Sequence, residues 1–209
     1  MTEMRTYHLR TPISEDDVRK LGINDVVYLS GDLFTARDEA HHRALTYHRE
    51  GKELPIDVKG KALYHCGPLV KKVDGQYTVV SAGPTTGMRM EMFEYEFLEK
   101  FPVRLVIGKG GMGSRTTDAM KKFGAVYCAF TGGAAALAGQ AIKGVKSVDW
   151  LDLGTPEALW TLEVDDFGPL TVAIDTHGRN LHADVAKQVD ENKKKIFQMI
   201  SLGSVKTSI

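Results

Sequence analysis

The amino-acid sequence predicts an α/β domain with a mixed sheet and a C-terminal helix. In the middle of the chain, apolar runs typical of buried strands alternate with helical patterns, which favours parallel pairing between the strands. Further strand-like runs lie towards both ends of the chain and indicate additional sheet. Because 209 residues suit a single domain, we expect one domain over residues 1–182 and a helical tail over residues 183–209.

The predicted elements follow one another with short turns between them. The first strand covers residues 26–29 and ends at Ser30-Gly31. Thr35 is a suitable N-cap for a helix over residues 35–45, because its hydroxyl can accept a hydrogen bond from an amide of the first turn. The other predicted strands cover residues 62–66, 77–80, 103–107, 125–130, 160–164 and 170–174. The other predicted helices cover residues 92–100, 114–123, 134–143 and 184–201.

The composition excludes several classes of function. The 27 basic and 27 acidic side chains balance, whereas a nucleic-acid-binding protein needs clustered Lys and Arg facing phosphates. No apolar run approaches the roughly 20 residues that span a bilayer, and the start MTEMRTYHLR lacks the apolar segment of a signal peptide. We therefore expect a cytoplasmic chain without a nucleic-acid or membrane partner.

The two cysteines, Cys66 and Cys128, lie in apolar strand-like runs, where cysteine usually serves as a small buried side chain. The sequence contains no Cys-x-x-Cys pair and no Cys/His group, which are the spacings that zinc and cluster sites use. The sequence therefore predicts no metal ligand in this chain.

A glycine-rich loop over residues 108–113 matches the pattern G-x-G-x-x-G between a predicted strand and a predicted helix. That setting is typical of dinucleotide-binding turns. However, the next strand ends in Phe130-Thr131-Gly132 and offers no carboxylate for a ribose, which disfavours NAD. A less specific interpretation is an anion site, since glycine amides and a helix N-terminus attract negative charge and Lys109 adds a cation.

Three cations, Arg37, Arg89 and Lys109, each lie just past the end of a predicted strand. Ligands of α/β sheets collect at such strand ends, and guanidinium groups bind carboxylates through paired hydrogen bonds. The set therefore matches a dicarboxylate, with ordinary surface cations as the alternative.

Two hydroxyls, Thr85 and Thr86, follow the turn Gly83-Pro84. A threonine hydroxyl can accept a proton only with strong activation, and no carboxylate pair, Ser/His/Asp set or metal cluster accompanies it in the sequence. We therefore expect a second chain to complete the site. Thr86 is more suited to capping the loop backbone.

Several sequence blocks in fixed order resemble the β subunit of the iron–sulfur hydro-lyases, the family of class I fumarate hydratase and L(+)-tartrate dehydratase. The resemblance covers about residues 9–181. Its blocks are TARDEAH at 35–41, YHCGP at 64–68, GPTT at 83–86, IGKGGM at 107–112, TGGA at 131–134, DLG at 152–154, PEA at 156–158 and FGP at 167–169.

The resemblance implies a swivelling β/β/α domain and a partner α subunit whose three cysteines hold a [4Fe-4S] cluster, within a higher oligomer. It implies that Arg37, Arg89 and Lys109 bind the substrate carboxylates and that Thr85 is the catalytic base. Candidate rim residues are Thr86, His41 and His65, and for His41 a structural role is the preferred interpretation.

The blocks divide between two substrates that differ by one hydroxyl. Residues 89–91 and 110–113 resemble tartrate dehydratases, whereas residues 35–41 and 51–55 resemble two-subunit fumarases. We predict reversible hydration of fumarate to L-malate, with dehydration of L(+)-tartrate to oxaloacetate as the alternative. A further alternative is a non-catalytic anion-binding assembly module that uses the small-residue helix over residues 134–141 as an interface.

Overall fold

The computed structural model describes residues 4–205, and it describes side chains up to residue 200. Nine strands and six α-helices lie in this part of the chain. The strands are β1 (Thr6–Arg10), β2 (Val26–Thr35), β3 (Ala62–Tyr64), β4 (Leu69–Val73), β5 (Gln76–Ser81), β6 (Leu105–Gly108), β7 (Val126–Ala129), β8 (Ile142–Asp149) and β9 (Leu159–Ile174). The helices are α1 (Glu15–Arg19), α2 (Asp38–Arg49), α3 (Glu91–Lys100), α4 (Ser114–Phe123), α5 (Ala135–Ala141) and α6 (Leu181–Val205).

Seven strands form one mixed sheet in the order β1-β2-β3-β6-β7-β9-β8, as the sequence predicts for a mixed α/β fold. The pairs β1–β2, β2–β3, β3–β6 and β6–β7 are parallel, whereas β9 pairs antiparallel with β7, β8 and β2. Because β9 also pairs with β2, the sheet closes into a barrel-like ring. The hairpin of β4 and β5 forms a separate two-stranded sheet. The assignment to the swivelling β/β/α fold stays a prediction.

Two strands are longer than the sequence indicates. The strand β2 continues past Gly31, whose φ of 98° accompanies a register irregularity, and reaches Thr35. The prediction of Thr35 as a helix N-cap is therefore wrong: its buried hydroxyl accepts a hydrogen bond from the Trp160 amide at 3.2 Å. The strand β9 is continuous where two strands were predicted, with the irregularity taken up around Asp166 (φ 55°).

Three strands lie where none was predicted: β1, β4 and β8. In β1 and β4 the side chains are mostly exposed or half-buried, so apolar runs are absent. The strand β8 follows α5 with no intervening turn, which shortens the helix predicted over residues 134–143.

Apolar side chains fill both sides of the sheet. Successive residues of a strand point to opposite faces. In β3, Tyr64 packs in the barrel interior with Phe167, while Leu63 belongs to the other apolar cluster, which includes residues of α2, α3 and α4. Both residues are fully buried. The strand is therefore held between two apolar layers, which fixes the position of the loop that follows it.

The carboxyl ends of the parallel strands lie at one edge. Thr35, Tyr64, Ile107 and Cys128 are register partners in a row across β2, β3, β6 and β7. The residues that follow this row emerge at the same edge, where the candidate site is expected.

The helix α6 runs across the predicted boundary between residues 182 and 183. The first three residues of the predicted domain and the last four of the predicted tail lie outside the described residues. None of the described helices is both long enough and apolar enough to cross a membrane.

The end of β6 offers a test of this packing. A Cβ on Gly108 would lie 2.6 Å from the Tyr127 hydroxyl oxygen and 3.1 Å from His65 Nδ1. We expect Gly108→Ala to lower the free energy of unfolding by about 1–3 kcal/mol, because it overpacks a closed core. Gly133→Ala is the matched control, since nothing lies within 4 Å of its added Cβ. Equal stability of the two variants in denaturant titrations would contradict this packing.

Candidate active site

Backbone hydrogen bonds join the Thr85 loop to the glycine loop. The Thr85 amide donates to the His65 carbonyl at 2.6 Å, and the Thr85 carbonyl accepts from the Lys109 amide at 2.9 Å. The Lys109 carbonyl in turn accepts from the Gly87 amide at 2.8 Å. Thr85 is therefore held between the ends of β3 and β6, next to Lys109.

The two threonines of the loop differ in exposure. Thr85 is half-buried, and its hydroxyl makes no side-chain hydrogen bond to any residue that the structure describes. Thr86 is exposed at the rim and occupies the N-cap position of a short 3-10 helix, Gly87–Met90, without a side-chain cap bond. The expectation that the Thr86 side chain caps the loop is wrong, whereas its place at the rim agrees with its exposure.

The two arginines are held by carboxylates of this chain. Arg37 is the N-cap of α2, and its Nη2 lies 3.2 Å from Glu157 Oε1. Arg89 Nη2 lies 2.7 Å from Oδ2 of Asp38, the residue that follows Arg37. Because Arg37 and Asp38 are adjacent at the start of α2, Arg37 and Arg89 lie at the same edge.

Contacts also connect Arg37 to the Thr85 loop. A Cβ on Gly67 would lie 2.9 Å from Arg37 Nη1, so the guanidinium covers this glycine. Gly67 follows Cys66, which forms an antiparallel bridge with Pro84, the residue before Thr85. Arg37, Arg89, Thr85 and Lys109 thus lie along one connected edge.

Lys109 differs from the arginines because it has no carboxylate partner among residues 4–200. Its residue is exposed, and its stem lies beside Gly132, where an added Cβ would be 2.7 Å from Lys109 Cδ. The charge of Lys109 is therefore available to an anionic ligand.

The N-terminus of α4 is already occupied by a carboxylate. Glu91 accepts hydrogen bonds from the Gly113 amide at 2.7 Å, from the Thr116 amide at 3.2 Å and from the Thr116 hydroxyl at 2.6 Å. The predicted anion site at this helix end is therefore filled by Glu91, which satisfies amides that a helix leaves without partners. The group of the glycine loop that can bind an anionic ligand is therefore the Lys109 side chain, and not the N-terminus of α4.

The predicted rim positions of His41 and His65 are wrong. Both side chains are fully buried, and both lie beside the buried Glu94 of α3. The His41 ring packs against Phe97 at 4.8 Å between centroids. Burial disfavours the imidazolium and lowers the pKa of His41 to about 4. These histidines lie beneath the site and cannot meet a ligand at its surface.

The cysteines of this chain do not fit a cluster ligand. Cys66 and Cys128 are fully buried, and cluster ligation requires the thiolate form. Burial raises the pKa of Cys66 to about 12 and also raises the pKa of Cys128. Neither thiol is therefore suited to bind an iron–sulfur cluster.

Sequence reasoning missed three acidic residues: Asp38, Glu91 and Glu157. Asp38 follows Arg37 directly, so the sequence alone shows a carboxylate beside this arginine. Glu91 and Glu157 reach their partners from 22 and 120 residues away, and no local pattern indicates such pairs.

Comparison with known proteins identifies the family of this chain. The Fumarase C-terminus family matches residues 1–185. The chain belongs to that family. In this Fumarase C-terminus chain, the three cations and the Thr85 hydroxyl lie at one edge of the barrel.

Individual relatives carry two kinds of name. The L(+)-tartrate dehydratase subunit beta of Escherichia coli K12 is 45% identical over 92% of this chain and 94% of its own length. The protein of the same name from Shigella sonnei is also 45% identical over the same shares. A protein of Geobacillus stearothermophilus named "Putative fumarate hydratase class I" is 42% identical over 94% of this chain but only 38% of its own length. The family domain thus occurs as a nearly whole chain and as part of a longer one.

Proposed function

We propose that this chain is the β subunit of a two-subunit hydro-lyase acting on a four-carbon dicarboxylate. The observation that carries the proposal is the backbone link between Thr85 and Lys109. It places a hydroxyl beside a cation, and among the described side chains neither the hydroxyl has a hydrogen-bond partner nor the cation a carboxylate partner. The names of the tartrate dehydratase relatives support the β-subunit assignment. The higher oligomer and the swivelling β/β/α fold belong to the same proposal.

In the proposed reaction, the cations of this chain bind the substrate carboxylates. Arg37 and Arg89 keep their orientation through Glu157 and Asp38 before substrate arrives. Charge-assisted hydrogen bonds to a carboxylate are roughly twice as strong as neutral ones. No carboxylate of the described chain has to be displaced from Lys109 before a ligand binds. Lys109 is therefore the first contact for an incoming dianion.

Thr85 acts as the base in this proposal. Its Oγ, ionised beforehand and stabilised in that form by the neighbouring cations, takes the proton from the carbon next to a substrate carboxylate and becomes a neutral hydroxyl, and the C–H electron pair forms the double bond as the neighbouring substrate hydroxyl leaves. The departing hydroxide takes a proton from an acid on the partner subunit and leaves as water. The cations stabilise negative charge on Thr85 and on the substrate, because opposite charges nearby favour the ionised form.

The partner α subunit completes the site. It would hold the [4Fe-4S] cluster, which supplies a Lewis acid for the departing hydroxyl. The buried thiols of Cys66 and Cys128 support this division, since the described residues of this chain offer no exposed thiolate. The residues of this chain have the proposed roles of binding the substrate, orienting it and moving a proton.

We favour L(+)-tartrate as substrate, with oxaloacetate and water as products. The relatives named for L(+)-tartrate match this chain along nearly their whole length, which supports tartrate over fumarate, the substrate that the sequence predicts. Hydration of fumarate to L-malate is the second candidate reaction. It is supported by the relative named for fumarate hydratase.

Co-expression with an iron–sulfur α subunit under anaerobic conditions tests the proposal. We expect hydro-lyase activity only when both chains are present, and we expect kcat/KM on L(+)-tartrate to exceed that on L-malate by about 10²-fold or more, because a buried polar group discriminates strongly against a missing hydroxyl. A preference for malate would replace tartrate by the second candidate. Activity of this chain alone would overturn the divided site, and a folded but inactive pair would favour the assembly module.

A further inference from the structure

Three buried side chains from different elements converge beneath the Thr85 loop: His41 of α2, His65 after β3 and Glu94 of α3. All three are 0% exposed. One ligand atom from each lies within 4.8 Å of the others. His65 Nε2 is 3.0 Å from Glu94 Oε2, and His41 Nε2 is 3.8 Å from the same oxygen. The cluster lies outside the proposed catalytic residues.

The tautomer of His41 follows from its other ring nitrogen. His41 Nδ1 lies 2.7 Å from the carbonyl oxygen of Arg37, which can only accept a hydrogen bond. Nδ1 therefore carries the hydrogen, and Nε2 has a lone pair. That lone pair faces Glu94, whose carboxylate oxygens are also acceptors. Two acceptors that face each other at 3.8 Å repel unless a proton or a metal ion lies between them.

These three side chains have five buried polar atoms that lack a hydrogen bond of acceptable geometry within the described chain: His41 Nε2, His65 Nδ1, His65 Nε2, Glu94 Oε1 and Glu94 Oε2. The 3.0 Å contact of His65 with Glu94 has the length of a hydrogen bond but not its alignment. Buried polar groups without partners are costly, and a bound ion is one arrangement that satisfies them.

We propose that His41, His65 and Glu94 form a binding site for a divalent transition-metal ion, Zn²⁺ by its ligand chemistry. Two imidazoles and one carboxylate are a ligand set that zinc uses, at bond lengths of about 2.0–2.2 Å. Tetrahedral ligands at those lengths lie about 3.3 Å apart, and the separations of 3.0 and 3.8 Å lie on either side of that value.

The surroundings of His41 also match a metal ligand. Histidines that bind metals commonly donate their second ring N–H to a carbonyl, which fixes the tautomer, and His41 does this with Arg37. The ion has a positioning role for Thr85, because the His65 carbonyl accepts a hydrogen bond from the Thr85 amide. It connects α2 and α3 to the backbones of Arg37 and Thr85 without touching substrate.

The 209-residue chain produced in zinc-supplemented medium tests the site by elemental analysis. We expect about one Zn²⁺ per chain, and in Glu94→Gln and His41→Gln about a tenth of that or less, since each change removes a ligand. The matched controls are Glu96→Gln, on the same helix in an exposed pair with Arg49, and His42→Ala, the exposed neighbour of His41. Both controls should retain the zinc.

Two further measurements keep the test decisive. Circular dichroism identifies variants that fold, and Glu94→Gln preserves the shape of the side chain. Replacement of Zn²⁺ by Co²⁺ should produce visible absorption in the wild-type chain that is lost in folded Glu94→Gln. A folded wild-type chain with neither zinc nor cobalt bound overturns the proposal in favour of a proton shared between His65 and Glu94. Equal zinc in wild type and both ligand variants overturns it as well. Neither readout depends on hydro-lyase activity or on iron.

Discussion

Thr85→Ala is expected to lower kcat of the reconstituted enzyme on L(+)-tartrate by about 10³-fold, the range of a lost general base. KM should change little, because the hydroxyl acts on the reacting carbon while the cations bind the carboxylates. The backbone of position 85 is held by His65 and Lys109 through main-chain atoms. Alanine therefore leaves the loop in place and removes only the hydroxyl. Steady-state kinetics over a range of substrate concentrations separates the two parameters.

Two other substitutions in the loop sharpen this result. Thr85→Ser keeps a hydroxyl and should recover part of the lost kcat. Thr86→Ala removes an exposed hydroxyl one residue away and should change kcat by less than a factor of about ten, since that side chain makes no cap bond. Wild-type activity in Thr85→Ala would remove this residue from the mechanism, and equal losses at both positions would indicate a loop effect.

Lys109→Met is expected to lower kcat/KM by about 10²-fold, mainly through KM. Methionine keeps much of the stem that packs beside Gly132 but removes the charge. A hydrogen bond to a charged group contributes about 1.5–3 kcal/mol, and no carboxylate of the described chain competes for this lysine. Lys109→Arg should recover part of the affinity, because the charge returns with a different shape.

Lys59→Met is the matched control for charge. Lys59 is exposed and precedes β3, so it lies at the opposite end of the parallel strands from Lys109. Its loss changes the net charge by the same amount and should leave kcat/KM close to wild type. An equal loss in both variants would show a general electrostatic effect rather than a contact with substrate.

The proposed zinc site and the proposed active site are neighbours that share backbone. The Thr85 amide bonds the His65 carbonyl, and the Arg37 carbonyl bonds His41. Precise placement of catalytic groups depends on the residues that support them. The buried cluster is therefore where we expect the geometry of the hydroxyl and of one arginine to be set.

Local patterns were sufficient for part of this description. Alternating strand and helix signals predicted the mixed α/β fold, and the helices α3 and α4 lie within one residue of their predicted bounds. The positions of Arg37 and Lys109 just past strand ends were also readable, because parallel strands end at a common edge. These features depend on residues that are close together in the sequence.

Other features depend on contacts between distant residues. The continuation of β2 to Thr35 is stabilised by β3 and by Trp160 of β9, and the closure of the barrel is a pairing of the same two strands, β2 and β9. Glu91 fills the end of α4 in the same way. Periodicity cannot report such pairings, because it describes one element at a time.

Composition and short motifs thus determined the fold class and the chemical types available to the site. Folding decided which of those groups face a ligand: Lys109 is exposed without a carboxylate partner in the described chain, whereas His41 and His65 are buried with Glu94. The physical reason is that exposure and charge pairing arise from packing between elements. The identity of a histidine does not show whether its side chain is buried, because burial depends on contacts with residues that are distant in the sequence.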